Sequence, residues 1–273
     1  MGETSLDTKE VKFPGNARKP SSVITLPQTR PSPKPKGERL GKVLAGRNLR
    51  GYVSHPLVAL QLESPVADQF KILREHLRQL RADTGARSLL VTSAIKGDGK
   101  SLVAANLAAV TALEDKEQVL LIEADLRSPE IHRYFNIEST PGLTECLGSD
   151  SEEDLSHYVQ DTFLPNLKVL PAGRPHRLPS ELLAKLKTHD LLSLFPNHQI
   201  IIDSAPVLST ADPLVLTRLV EGIIMVIRAG KTPRRRLFEA LTTLNSKKLM
   251  GIVLDGTELG TTSKYYHYSN KKD

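Results

Sequence analysis

"SLLVTSAIKGDGKSLVAANLAAV", Ser88–Val110, decides the fold of this chain. Its first six residues are a short apolar run that reads as a strand over 88–93. The loop Ala94-Ile95-Lys96-Gly97-Asp98-Gly99-Lys100-Ser101 follows at once, and the alanine-rich stretch behind it reads as a helix over 100–113. This is the setting and the spacing of a phosphate-binding P-loop, with Ala94 standing where the usual pattern has its first glycine. The residue types suit the chemistry. Gly97 and Gly99 allow backbone N–H groups to turn inward around a phosphate. Lys100 has the reach for the β- and γ-phosphates, and Ser101 has the hydroxyl for Mg²⁺. A helix that starts at the loop adds its positive end to anion binding. The expected nucleotide-binding residues are therefore Ala94, Ile95, Lys96, Gly97, Asp98, Gly99, Lys100, Ser101 and Leu102.

Outward from this loop, short Ile/Leu/Val runs alternate with amphipathic stretches. Strands are predicted over 118–125, 167–173, 199–204, 222–230 and 249–256, and helices over 179–195, 211–220 and 233–247. Before the loop, "SPVADQFKILREHLRQLRAD" (Ser64–Asp83) places Val66, Phe70, Leu73, Leu77 and Leu80 at helical spacing. Strands that are apolar throughout, separated by helices, imply a parallel sheet covered on both faces. The expected class is α/β, a P-loop NTPase-type, mostly parallel sheet with helices on both faces.

Two strand ends carry acids. "LLIEADLRSP" puts Glu123 and Asp125 at the carboxyl end of one strand, and "IIIDSAP" puts Asp203 at the end of another. Parallel sheets bind ligands at those ends. Phosphoryl transfer needs Mg²⁺ held by a hydroxyl and an acid, and a group that orients or deprotonates the nucleophile. Lys100, Glu123, Asp125 and Asp203 are thus the candidate catalytic residues, with Ser101, Glu123 and Asp203 as candidate metal ligands. Arg127 suits a phosphate contact and a structural ion pair equally. "TPRRRLFEAL" (Thr232–Leu241) reads as a solvated helix start or a partner surface rather than part of the nucleotide site.

Charge separates the chain into parts. The net charge is +6, yet residues 1–50 hold eleven Lys/Arg against four acids, or +7, which leaves −1 for the rest. The basic character lies in an N-terminal segment that also carries six of the eighteen prolines. Such a stretch cannot bury enough apolar surface to offset its ordering entropy. Residues 1–57 are expected to be a disordered basic tail, and no nucleic acid is expected as a partner of the near-neutral remainder. One cysteine, Cys146, excludes an internal disulfide framework and fits a reducing compartment. No apolar run has the length of a membrane span or of a signal core, so a cytoplasmic location is expected. Three of the six tyrosines, Tyr265, Tyr266 and Tyr268, crowd into the polar terminal stretch "TSKYYHYSNKKD", where nothing local can bury their rings.

Together, "SAIKGDGKS", "LLIEADLRSPEIHRYFN", "TPGLTECL", "LKVLPAGRPHRLPSELL", "IIIDSAPVL" and "IIMVIRAGKTPRRR" resemble, in order, the bacterial tyrosine autokinases of polysaccharide synthesis, over roughly residues 60–268. The resemblance implies ATP and Mg²⁺ as ligands and a P-loop kinase domain over 58–258. It implies transfer of the γ-phosphoryl group, in trans, to Tyr265, Tyr266 and Tyr268 in a flexible tail over 259–273. It implies a homo-oligomeric ring in which the helix within 58–82 takes part, with Asp68, Phe70, Lys71 and Arg74 standing in for the family's oligomerisation motif. It implies an integral-membrane chain-length-determinant activator that recruits the protein to the inner face of the plasma membrane, and a protein-tyrosine phosphatase that opposes it. By motif, Asp255 in "GIVLDG" sits where the family often has an asparagine near the adenine. Glu123 stands where the family usually has aspartate, and Lys96 where it has proline. Two other readings remain open at this point: a positioning ATPase of the ParA/MinD kind, whose loop would need a lysine where this chain has Ile95, and a catalytically weak nucleotide-dependent scaffold.

Overall fold

Ser88–Ser93 is buried at all six positions, as a strand covered on both faces must be. The computed structural model describes residues 22–27, 57–60, 64–114, 118–149, 154–188, 191–244 and 247–257. Its strands are β1 (Ser22–Pro27), β2 (Ser88–Ser93), β3 (Gln118–Glu123), β4 (Gln160–Asp161), β5 (Leu167–Leu170), β6 (His198–Asp203), β7 (Gly222–Arg228) and β8 (Leu249–Thr257). They form one sheet in the order β1-β8-β7-β2-β6-β3-β5-β4. Every pairing is parallel except the short β4 against β5. The expected α/β architecture is present.

The strand side chains divide by the period of two. Leu89, Val91, Val119, Leu121, Ile201, Ile224 and Val253 face one apolar cluster, which also contains residues of α1 (Pro65–Thr84) and α2 (Lys100–Glu114). Leu90, Leu120, Ile122, Ile200, Ile202, Met225 and Ile252 face the other, shared with α4 (Leu143–Gly148), α5 (Pro179–Ala184), α6 (Leu191–Leu194) and α8 (Arg234–Leu244). The remaining short helices, α3 (Ile131–Phe135) and α7 (Asp212–Leu216), lie just beyond the carboxyl ends of β3 and β6. The helix α1 has its own start and stop signals. Ser64 accepts a hydrogen bond from the Val66 amide, Pro65 occupies the first turn, and Gly85 ends the helix at φ 74°.

The structure departs from the sequence expectations in three places. Ser22–Pro27 lies inside the segment expected to be disordered, yet it forms an edge strand parallel to β8, with Leu26 buried against the core. "SVITL" is a β-branched, apolar island, and averaging over a proline- and lysine-rich tail conceals it. The helix expected over 179–195 is interrupted. A tight turn at Lys185–Thr188 separates α5 from α6, where "KTHD" offers poor helix formers. Phe70, expected at an oligomer surface, is only 1% exposed and belongs to the core beside Leu73 and Leu77. It points inward because it repeats at helical spacing with those leucines, so it is not available to a neighbouring subunit. Tyr265, Tyr266 and Tyr268 lie outside the described residues. No described helix is long and apolar enough to cross a membrane.

Candidate active site

The loop between β2 and α2 is built on two glycines with positive φ, 85° at Gly97 and 96° at Gly99, which only glycine adopts without strain. Ala94, in place of the usual first glycine, is fully buried, so its methyl group is absorbed by the core beneath the loop. Ile95 packs against the same side and Leu102 against the other, while Lys96 is exposed. Asp98 braces the loop from within. It is fully buried, and its Oδ2 accepts the Ile95 amide at 3.0 Å.

Lys100 and Ser101 open α2 beneath this turn. The Lys100 ammonium lies 2.8 Å from Asp125 Oδ2 and 3.9 Å from Asp203 Oδ1, and it donates to the Ser101 hydroxyl at 2.9 Å. Burial would favour the neutral amine, but Asp203 and Asp125 outweigh it and hold the Lys100 pKa above its ordinary value. Parallel pairing sets the level of the acids: Glu123 and Asp203 are register partners at the ends of β3 and β6. Asp125, two residues beyond β3, is fixed by accepting the Ser128 amide at 3.2 Å. Asp203 is 1% exposed and faces the Lys100 ammonium and the Ser101 hydroxyl, with no well-aligned hydrogen bond to either carboxylate oxygen. Burial raises its pKa to about 7 despite the pull of Lys100 and of the Ser101 hydroxyl, with Asp125 and Glu123 adding to the rise. A buried carboxylate beside a serine hydroxyl fits a hard cation that takes few protein ligands and completes its shell with phosphate oxygens and water. No described cluster of three or more His, Cys, Asp or Glu side chains forms an all-protein metal cage.

This sheet, loop and cluster can be set beside known proteins. No family model matches the chain. It is 36% identical over 210 residues to the tyrosine-protein kinase YwqD of Bacillus subtilis, covering 75% of this chain and 87% of YwqD. It is 31% identical over 210 residues to CapB of Staphylococcus aureus, covering 76% of this chain and 91% of CapB. The chain belongs to the bacterial tyrosine kinases. The kinase domain of Escherichia coli Etk superposes with a TM-score of 0.73 at 25% identity, over 88% of this chain and 92% of that domain. This kinase therefore uses its P-loop fold for protein-tyrosine phosphorylation, which implies ATP as the donor.

The structure gives Glu123 a bracing job that the sequence did not show. Its Oε1 accepts the Ile131 amide at 2.5 Å and its Oε2 accepts the Ala172 amide at 3.2 Å. Glu130, the cap residue of α3, makes no side-chain cap bond, so Glu123 supplies the missing acceptor from the neighbouring strand. Each oxygen accepts one amide, so the side chain braces α3 and the loop after β5 at the level of Asp203. Arg127 pairs with the buried Asp212 at 3.4 Å, and Asp212 also accepts the Ser180 hydroxyl, so the loop after Asp125 is tied to α5 and α7. Asp255 lies near the carboxyl end of β8, beside the loop: a Cβ added at Gly99 would lie 2.6 Å from its Oδ2. Burial pushes the Asp255 carboxyl up, against Arg228 at 3.8 Å. On α1, Asp68 and Lys71 pair with each other at 3.2 Å, and Arg74 lines the groove between α1 and α2.

Two neighbours of the loop escaped the sequence reading. Thr232 donates its hydroxyl to Asp98 Oδ1 at 2.7 Å, and the Lys231 ammonium rests against Gly97. The available signals were an aspartate inside the loop, which once buried must find donors, and "GKT" just past the end of an apolar strand next to β2.

Proposed function

We propose that this kinase transfers the γ-phosphoryl group of ATP to Tyr265, Tyr266 and Tyr268 of a neighbouring copy, and that it thereby regulates polymerisation and export of a cell-surface polysaccharide. The observation that carries the reading is the Lys100–Asp125–Asp203 cluster under the Gly97–Gly99 turn, at the carboxyl ends of parallel strands. Lys100 is the group for the β- and γ-phosphates. Ser101 and Asp203 are the residues for Mg²⁺, which when bound neutralises charge on the phosphates. Asp125, held by Ser128 and Lys100, is the acid left to orient or deprotonate a tyrosine hydroxyl. Asp255 borders the nucleotide end of the loop.

The supporting likeness is to whole-length relatives rather than to a fragment of them. By the same reasoning the partners are a second copy in a ring, an integral-membrane chain-length-determinant activator at the inner membrane face, and a protein-tyrosine phosphatase. The test is incubation of the purified protein with ATP and Mg²⁺, with and without the activator's cytoplasmic segment, followed by phosphopeptide mapping. Phosphotyrosine at Tyr265, Tyr266 or Tyr268 that disappears in Lys100→Met is the expected result. ATP hydrolysis without phosphate on any of the three would refute the tail as acceptor.

A further inference from the structure

The strand β7 ends at Arg228, and the chain then closes a tight turn across Ala229, Gly230 and Lys231. The Thr232 amide donates to the Arg228 carbonyl at 2.9 Å, the Arg228 amide donates to the Thr232 hydroxyl oxygen at 2.9 Å, and Gly230 takes φ 69°. That hydroxyl spends its own proton on Asp98. Asp98 thus uses one oxygen to brace the phosphate loop and the other to clamp the 228–232 turn onto it. The clamp is buried at the carboxylate and local at both ends, so it fixes the two loops as one unit.

The clamp sets Lys231. A Cβ on Gly97 would lie 2.5 Å from the Lys231 ammonium and 3.7 Å from its Cε, so the charged end lies on the loop itself. The two lysines at this loop differ in charge balance. Lys100 is answered by Asp125 and Asp203. Lys231 is exposed and has no carboxylate partner among the described residues. An ammonium held on a phosphate loop without a counter-ion is complementary to an anion brought there.

We infer that Lys231 is a second cation for the polyphosphate of the bound nucleotide, held over the loop by the Asp98–Thr232 hydrogen bond. The inference rests on the reading of this loop as a nucleotide site. Lys231 acts as a point charge that adds to affinity, while Lys100 serves the transferred group. Thr232 is a positioning residue that acts through Lys231.

The test is equilibrium titration of the full chain with a fluorescent ADP and with the same fluorophore on adenosine, which lacks phosphates. Lys231→Ala and Lys231→Gln are expected to weaken ADP binding about 10-fold and to leave adenosine binding unchanged, with Lys231→Arg restoring most of the loss. Thr232→Val is expected to weaken ADP binding less, and to add nothing once Lys231 is alanine. Lys247→Ala, an equal loss of charge at an exposed position away from the loop, is expected to bind as the parent does. ADP affinity unchanged in both Lys231 variants overturns the inference while leaving the nucleotide reading intact. Equal weakening for ADP and adenosine also overturns it, because it would mark a merely structural role. A parent chain that binds no ADP overturns both.

Discussion

Asp203 concentrates the electrostatics of the site in one residue. Its pKa of about 7 means that, between the ordinary carboxylate range and about 7, the folded chain holds a proton that the unfolded chain has released. Stability from this group is fully present at low pH and falls as pH rises through that window. Asp203→Asn removes the dependence. The variant is expected to gain ~2–4 kcal/mol over the parent at pH 8 and little at pH 4. Thermal melts at the two pH values, without nucleotide or divalent cation, check it. The same substitution is expected to abolish phosphotyrosine formation, so the residue trades stability for function. Sequence alone showed Asp203 at a strand end. It did not show how deeply the carboxylate is buried, because that depends on how α2 and β3 close around it.

At the scale of elements, a single side chain links β3, α3 and the loop after β5. Glu123 accepts the Ile131 and Ala172 amides, so Glu123→Ala leaves two buried donors without partners. The expected loss is ~2–4 kcal/mol in urea unfolding, against a small effect on nucleotide affinity. Loss of ADP binding at full stability would instead assign Glu123 to the nucleotide site. On α1, Phe70→Ala is expected to cost about 3–5 kcal/mol, while Lys71→Ala, on the half-buried flank, should cost less than about 1 kcal/mol. If α1 supports a ring, Lys71→Ala shifts the oligomer distribution by light scattering without lowering the melting temperature. The start and stop of α1 were legible because Ser64, Pro65 and Gly85 are local signals. The strand β1 was not, because its partner β8 lies more than 220 residues away in the sequence.

For the whole molecule, the proposed acceptors lie far along the sequence from the phosphate loop, so the proposal is tested on an assembly. Mixing Lys100→Met with a catalytically intact chain carrying phenylalanine at 265, 266 and 268 is expected to place phosphotyrosine on the Lys100→Met copy. No phosphate on either copy would exclude transfer in trans. Each modified tyrosine adds about −1.5 to −2 charges, enough to invert a tail that also holds Lys264, Lys271 and Lys272. The P-loop, the α/β alternation and the placing of acids at strand ends were determined by the sequence itself. They follow from local periodicity, glycine placement and acids at strand ends, none of which needs a distant partner. Tertiary structure alone decided that Glu123 is a brace and that Phe70 is core. It also decided that Ser22–Pro27 is a strand and that Lys231 and Thr232 flank the phosphate loop. Each of these depends on which group a side chain meets across the fold, and spacing along the chain carries no record of that.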